Sequence, residues 1–232
     1  MKERTFDDFD DYAKDYRSIH NENIKLSGAD SFYFAEMKVK LLQATEPNEK
    51  LNVLDIGCGD GTTELFMHQY FPQWQLTGID VSEKSISEAT LKNIPTATFA
   101  QYNGKKVAAK DATFDIIFIA GVLHHVEFVL HEQLLLEVFR LLKPCGRLYL
   151  FEHNPFNPVT KHLVNTCVFD KDARLLKAGY TVSLLKKVGF KKIRKNYIIF
   201  FPRKGWLSKL IFLEKYLSWL PLGGQYFLKV NK

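Results

Sequence analysis

The 232-residue chain has no apolar run approaching the roughly 20 residues needed to cross a bilayer, which excludes a helical membrane span. Cysteine is scarce. Cys58, Cys145 and Cys167 form no CxxC pair, which excludes a disulfide framework and a paired-cysteine zinc site. The opening MKERTFDDFDDYAKDY is acidic and has no apolar core, so it reads as neither a secretory signal nor a transit peptide. The expected location is a reducing cytoplasm. Internal repeats and low-complexity linkers are also lacking, and one continuous domain over 1–232 is expected. Acidic residues nearly vanish late in the chain: residues 140–232 hold 4 against 19 Lys and Arg, whereas residues 1–139 hold 22 against 13. A surplus of that kind fits an anionic neighbour such as a lipid headgroup, a phosphorylated substrate or nucleic acid, or else a solvated basic face. What remains is ordinary, with 46% hydrophobic and 25% charged residues, enough for a globular core and unlike a disordered or fibrous chain.

Two or three helices are expected before the core, because apolar residues from Phe6 to Tyr16 and from Phe32 to Leu42 fall at helical spacing around a loop over Asn21–Gly28. From residue 51 strands and helices alternate. LNVLDIG leads into a helix from Gly61–Thr63 to about Tyr70, and QLTGID into a helix over Glu83–Leu91 that Ser82 caps. ATFAQY and the almost wholly apolar FDIIFIAG read as the third and fourth strands. HEQLLLEVFRLLKP reads as a helix stopped at Pro144-Cys145-Gly146, GRLYLFEH as a fifth strand, and TVSLLKKVGF as a helix closed by Gly189. KKIRKNYIIFFP and QYFLKVNK supply strands six and seven, with an irregular segment between them. The pattern predicts an α/β fold: a doubly wound, mostly parallel seven-stranded sheet with helices on both faces and an antiparallel last strand.

The strongest chemical signal is Val53-Leu54-Asp55-Ile56-Gly57-Cys58-Gly59-Asp60-Gly61-Thr62, an apolar strand that turns through three glycines into a helix. Glycines let the backbone approach a ligand, and the helix start offers unpaired N–H groups. The glycines run G-x-G-x-G, so Thr62 stands where a dinucleotide fingerprint needs its third glycine. Asp55 and Asp60 flank the turn with negative charge, which suits a cationic ligand better than a pyrophosphate. Asp80, ending the second strand, stands where a carboxylate meets ribose hydroxyls in doubly wound sheets. Gln101-Tyr102-Asn103-Gly104 follows the third strand, and Ala120-Gly121-Val122-Leu123-His124-His125-Val126 ends the fourth. All four clusters lie at carboxyl ends of strands, where such sheets bind ligands.

Together these residues resemble the class I (Rossmann-like) methyltransferase superfamily of small-molecule type, whose members read VLDIGCGxG, GxD, FDxxxxxxVLHHV and LKPGGxLxxxE in this order. The resemblance covers residues 50–155 and implies S-adenosylmethionine as cofactor and methyl transfer as activity. It implies that Asp55 and the backbone of Gly57, Cys58 and Gly59 hold the methionine part, that Asp80 binds the ribose, and that Val81 packs on the adenine. Asn103 should reach the adenine amine, with the Gly104 N–H near a ring nitrogen and Ala120 beside the cofactor. The commoner pattern has Asp at position 103 and Gly at position 145. The expected layout is a helical lid over 1–45, a cofactor-binding half over 46–155, and a substrate-side half over 156–232. Tyr16 and Tyr12 are lid residues that the resemblance places near the methionine carboxylate.

Methyl transfer is an in-line displacement at a carbon on a positive sulfonium, and a base is needed only for a weakly acidic or protonated acceptor. His124 and His125 after the fourth strand, and Glu152 and His153 after the fifth, are the candidates. Two adjacent histidines do not chelate one metal well, and no metal is expected. The segment 203–221 joins Trp206, Phe212, Trp219 and five leucines to Arg203, Lys204, Lys209 and Lys215. A basic amphipathic stretch of this kind lies on a membrane surface, covers an apolar pocket or makes a dimer contact. The acceptor is therefore expected to be a small molecule, apolar or lipid-linked, with peripheral contact at the inner face of a membrane through 203–221. A nucleic-acid acceptor is disfavoured, since no Asn-Pro-Pro-Tyr-type run follows the fourth strand. A non-catalytic cofactor-binding protein is disfavoured by the intact glycine turn and Asp80.

Overall fold

A computed structural model describes residues 30–167 and 173–232. Tyr12, Tyr16 and most of the expected lid lie outside the described residues. Helix α1 (Ser31–Gln43) starts at Asp30, whose side chain accepts from the Tyr33 N–H at 2.8 Å and caps the first turn. Strand β1 (Asn52–Ile56) then leads through the glycine turn into α2 (Thr62–Tyr70). Next come β2 (Gln75–Asp80), α3 (Glu83–Leu91), β3 (Ala97–Gln101) and β4 (Phe114–Ala120). The order continues with α4 (His131–Leu141), β5 (Leu142–His153), α5 (Pro158–Thr166), α6 (Ala178–Val188) and β6 (Lys191–Ile198). A short α7 (Glu214–Leu217) and β7 (Gln225–Asn231) close the chain.

The sheet runs β3-β2-β1-β4-β5-β7-β6, with β7 antiparallel to both neighbours and the other pairs parallel. The winding order reverses between β1 and β4, which opens a crevice at their carboxyl ends. Alternate residues of the central strands feed two cores, because successive strand side chains point to opposite faces. Leu54, Ile56, Ile117, Ile119, Leu148 and Leu150 pack with α4 and α6. Val53, Ile116, Phe118, Tyr149 and Phe151 pack with Val39, Leu42, Met67, Phe71 and Trp74 on the other face. Asp55 shares the alternation of Val53 and so faces α1 and α2.

Three expectations need correction, and one helix was not expected. Helix α4 stops at Leu141, not Pro144, because Leu142 already pairs with Phe114 in the sheet. The Pro144-Cys145-Gly146 stretch is a bulge inside β5, and the register resumes at Ile116 opposite Arg147. Cys145 holds φ +65° there, a conformation that glycine adopts at no cost. Strand β6 ends at Ile198 instead of Pro202, since Ile199 turns to φ +64° and the Phe200 and Phe201 N–H groups donate to Glu214. The stretch after Phe156 is a helix, announced by Asn157, which accepts from the Thr160 N–H at 2.9 Å, and by Pro158 in the first turn. The segment between β6 and β7 is ordered as a 3₁₀ helix over Trp206–Leu213 followed by α7.

Candidate functional site

The carboxyl ends of β1, β2, β4 and β5 converge on one edge of the sheet. Gly57, Gly59 and Gly61 all adopt positive φ (+80°, +55° and +76°), which lets the chain fold back from β1 into α2. The Gly57 and Cys58 N–H groups donate to the Ile79 carbonyl at 2.7 and 3.1 Å, seating the turn on β2. A Cβ on Gly57 would stand 2.4 Å from Val122 Cγ2, whereas one on Gly59 would meet nothing within 4 Å. Gly57 is therefore fixed by packing against the β4 loop, and Gly59 presents open backbone to the crevice.

Asp80 secures the rim of this turn. Its Oδ2 accepts from the Gly59 N–H at 2.9 Å, and its Oδ1 accepts from the Ser82 N–H at 3.0 Å, next to the Ser82 cap of α3. Val81 follows, half-buried, and its carbonyl accepts from Gln101 Nε2 at 2.8 Å, which ties the ends of β2 and β3 together. Asn103 is exposed, and its Oδ1 accepts from the Lys105 and Lys106 N–H groups at 3.0 and 3.2 Å, closing a turn at Gly104 (φ +72°). Asp60 adds less charge to the crevice than its position suggested, because Lys92 pairs with its carboxylate at 3.0 Å.

Asp55 lies beneath the turn, buried, beside a second carboxyl that the sequence reading did not single out. Glu64 on α2 is wholly buried and close enough to Asp55 for the two to share a proton. Asp55 Oδ1 and both Glu64 oxygens find no other hydrogen-bond partner. Burial, and less so the field of Asp80, lifts the Asp55 carboxyl to about 7. Burial and the neighbouring Asp55 lift Glu64 well above the usual carboxylate range. Lys38 of α1 lies within electrostatic reach of Asp55 and of Glu152, and burial lowers its ammonium to about 8. Both residues had a signal in the sequence: each interrupts an apolar helical stripe, Glu64 before Met67 and Phe71, and Lys38 before Leu42.

Across β4, whose last residue Ala120 pairs with Phe151, stand the histidines. Glu152 is 1% exposed and takes two donors: the Leu123 N–H at 2.9 Å on Oε1 and His124 Nδ1 at 2.6 Å on Oε2. Burial would raise its pKa, but His124, with lesser pulls from His153 and His125, outweighs this and holds Glu152 below its usual value. An ionised Glu152 requires the proton on His124 Nδ1. The His124 ring lies 4.1 Å from that of His125 and 5.2 Å from that of His153. The four predicted residues are thus one cluster. Asn154, which follows His153, donates to the carbonyls of Pro221 and Gly223 at 3.1 and 2.7 Å. His131 was also missed by sequence reasoning. Its Nε2 lies 2.9 and 3.0 Å from the Leu123 and Val126 carbonyls and so carries a proton, while Tyr180 holds Nδ1 at 2.9 Å. These contacts fix the loop that carries His124 and His125. Among the described residues, no group of three or more His, Cys, Asp or Glu side chains is disposed to hold a metal.

Comparison with known proteins agrees with this geometry. Residues 53–146 match the family model of a methyltransferase domain. An uncharacterized protein of Methanocaldococcus jannaschii is 25% identical over 93% of this chain and 84% of its own length. An uncharacterized methyltransferase of Synechocystis is 27% identical over 66% of this chain and 72% of its own. Among solved structures, an S-adenosylmethionine-dependent methyltransferase from Thermotoga maritima superposes with a TM-score of 0.69 at 18% identity, over 98% of this chain and 100% of its own. The glycine turn, the doubly wound sheet with its antiparallel last strand and these likenesses agree: residues 53–146 form a methyltransferase domain, and the chain is an S-adenosylmethionine-dependent methyltransferase.

Proposed function

We propose that the enzyme methylates a small apolar or lipid-like acceptor, in the cytoplasm beside the inner face of a membrane, and that the histidine cluster takes the acceptor's proton. The observation that carries this reading is the buried pair of Glu152 and His124, joined at 2.6 Å at the carboxyl ends of β5 and β4. With Nδ1 protonated toward Glu152, His124 keeps Nε2 as a base. His125 and His153 beside it extend the proton path.

The residues under the glycine turn fit S-adenosylmethionine. Asp55 is a buried carboxyl beneath the turn, and Gly59 leaves backbone open to a ligand. In this reading Asp55, Gly57, Cys58 and Gly59 hold the methionine end. Asp80 accepts the ribose hydroxyls, Val81 packs on the adenine, and Asn103, Gly104 and Ala120 line the remainder. When bound, S-adenosylmethionine supplies an electrophilic methyl carbon on a cationic sulfur. The chain's own work is then to align the acceptor, exclude water and accept a proton.

The test is turnover against cofactor affinity. Alanine at His124, His125 or His153 is expected to lower turnover about 10²–10⁴-fold for a hydroxyl acceptor while leaving S-adenosylmethionine binding near that of the parent. An unbiased metabolite screen with labelled cofactor identifies the acceptor. Should all single and double variants turn over normally, alignment alone accounts for the rate and the base assignment fails.

A further inference from the structure

The segment between β6 and β7 emerges at the same edge as the site, because Ile198 and His153 both lie in register with Gln225. Its large side chains are not absorbed by the core: Trp206, Phe212, Tyr216 and Trp219 are 73%, 64%, 63% and 72% exposed. Their spacing is regular. In a 3₁₀ helix residues three apart eclipse, so Trp206, Lys209 and Phe212 form one outward stripe, which Lys215, Tyr216 and Trp219 continue. The leucines between them are half-buried. Glu214, the one acid in 203–222, is consumed internally by the Phe200 and Phe201 N–H groups and by Arg203 at 3.7 Å. Lys204, Lys209 and Lys215 are exposed.

The stripe extends beyond this segment. Asn157 Nδ2 donates to the Leu222 carbonyl at 2.7 Å, so the loop after β5, with exposed Phe156, is locked beside exposed Leu222. Lys177 lies 6.0 Å from the centre of the Phe156 ring and adds another cation. That loop leaves β5 directly after Glu152 and His153. The exposed aromatics and lysines therefore border the acceptor side of the site.

We propose that this edge docks on an anionic lipid bilayer, with Trp206, Phe212, Tyr216 and Trp219 entering the headgroup layer and Lys204, Lys209 and Lys215 meeting lipid phosphates. Tryptophan, tyrosine and lysine together are the residues that favour a membrane interface. A contact with a second protein copy is the poorer fit, because lysine is depleted from the centre of protein interfaces and here it alternates with the aromatics. The docking gives a lipid-like acceptor a short path into the crevice. In that respect it rests on the acceptor class proposed above, but bilayer binding is measured without acceptor or cofactor, so the two readings fail separately.

The experiment is co-sedimentation of the full chain with vesicles of phosphatidylcholine mixed with phosphatidylglycerol, and with phosphatidylcholine alone, alongside tryptophan emission. Expected is binding to the anionic vesicles that weakens with salt, with emission shifted to the blue. Lys209→Glu/Lys215→Glu should weaken it by about ten-fold or more, since two cations facing lipid phosphates become anions. Trp206→Ala/Trp219→Ala should weaken binding to the same vesicles without abolishing its salt dependence. All four residues are exposed, so the variants should melt with the parent. Absence of sedimentation at low salt overturns the proposal. So does a concentration-dependent dimer that Trp206→Ala/Trp219→Ala abolishes, which would assign the stripe to a second copy.

Discussion

Gly78 is packed against Glu64: a Cβ at position 78 would stand 2.8 Å from Glu64 Oε1 and 2.6 Å from Phe99 Cδ1. Asp55 pairs in register with Gly78, so the missing side chain makes the space in which the two carboxyls meet. Gly78→Ala overfills that space. The expected cost is about 1–3 kcal/mol, a fall in melting temperature of about 2–12 °C for a chain of this size. Calorimetric or optical melts read it directly, and an unchanged midpoint would mean that Glu64 has room to move.

The buried pair also sets a pH dependence. Asp55, raised by burial to about 7 from 3.8, keeps its proton in the folded chain after the unfolded chain has lost it. Between those values the folded state holds the extra proton, so this group's contribution to stability falls as pH rises through the window and levels off above it. Glu152, held below its usual 4.5, acts in the opposite sense: its contribution is present above that value and is lost as pH falls through the lowered one. Melts of the parent and of Glu64→Gln between about pH 5 and about pH 8 isolate the pair. The parent should lose stability relative to the variant as pH rises, since glutamine leaves Asp55 a neutral donor. Parallel curves would mean that the two carboxyls do not share a proton.

On the proposed ribose role, Asp80→Ala should weaken S-adenosylmethionine binding by about 2–4 kcal/mol, the loss of an acceptor for two hydroxyls. The same carboxylate anchors the Gly59 and Ser82 N–H groups, so part of the loss comes through the turn itself. Titration calorimetry with S-adenosylhomocysteine and with the isolated methionine and adenosine fragments separates the two parts. A ribose role predicts that the adenosine fragment suffers most, and equal losses for all fragments would point to the turn alone.

Much of this architecture was legible because strands and glycines leave periodic marks. β1 to β4, the Ser82 cap and the stop at Gly189 follow from apolar runs bounded by turn residues. The end of α4 was not legible, since Leu141-Leu142-Lys143 suits a helix as well as a strand and only pairing with Phe114 decides between them. The Asn157–Pro158 start of α5 was legible and overlooked. In the candidate site, Asp55, Asp80, Glu152 and the histidines were singled out by their place at strand ends. Glu64 and Lys38 were hidden within the apolar spacing of their helices, where the charged interruption is the informative residue. That Asn154 turns toward Pro221 and Gly223 depends on a contact more than sixty residues away, which no local pattern encodes.

Glu152→Gln gives the sharpest test of the proposed base. The carboxylate receives two donors, the Leu123 N–H on one oxygen and His124 Nδ1 on the other. A glutamine of the same shape has one acceptor oxygen and one amide nitrogen, so it satisfies only one of these donors. The backbone N–H cannot change its proton, whereas the imidazole can. The amide oxygen therefore stays on Leu123, the amide nitrogen faces His124, and the ring moves its proton from Nδ1 to Nε2. That tautomer presents a donor where the acceptor's proton must be received. Turnover should fall by about 10²–10⁴-fold, while S-adenosylmethionine affinity stays near that of the parent. The pH profile should lose the limb that reports the base. ¹⁵N chemical shifts of the His124 ring give a readout that a merely structural defect would not produce, because they report directly which nitrogen carries the proton. A variant with full turnover, or with the parent tautomer and low turnover, would remove Glu152 and His124 from the proton path and leave His125 or His153 to act alone.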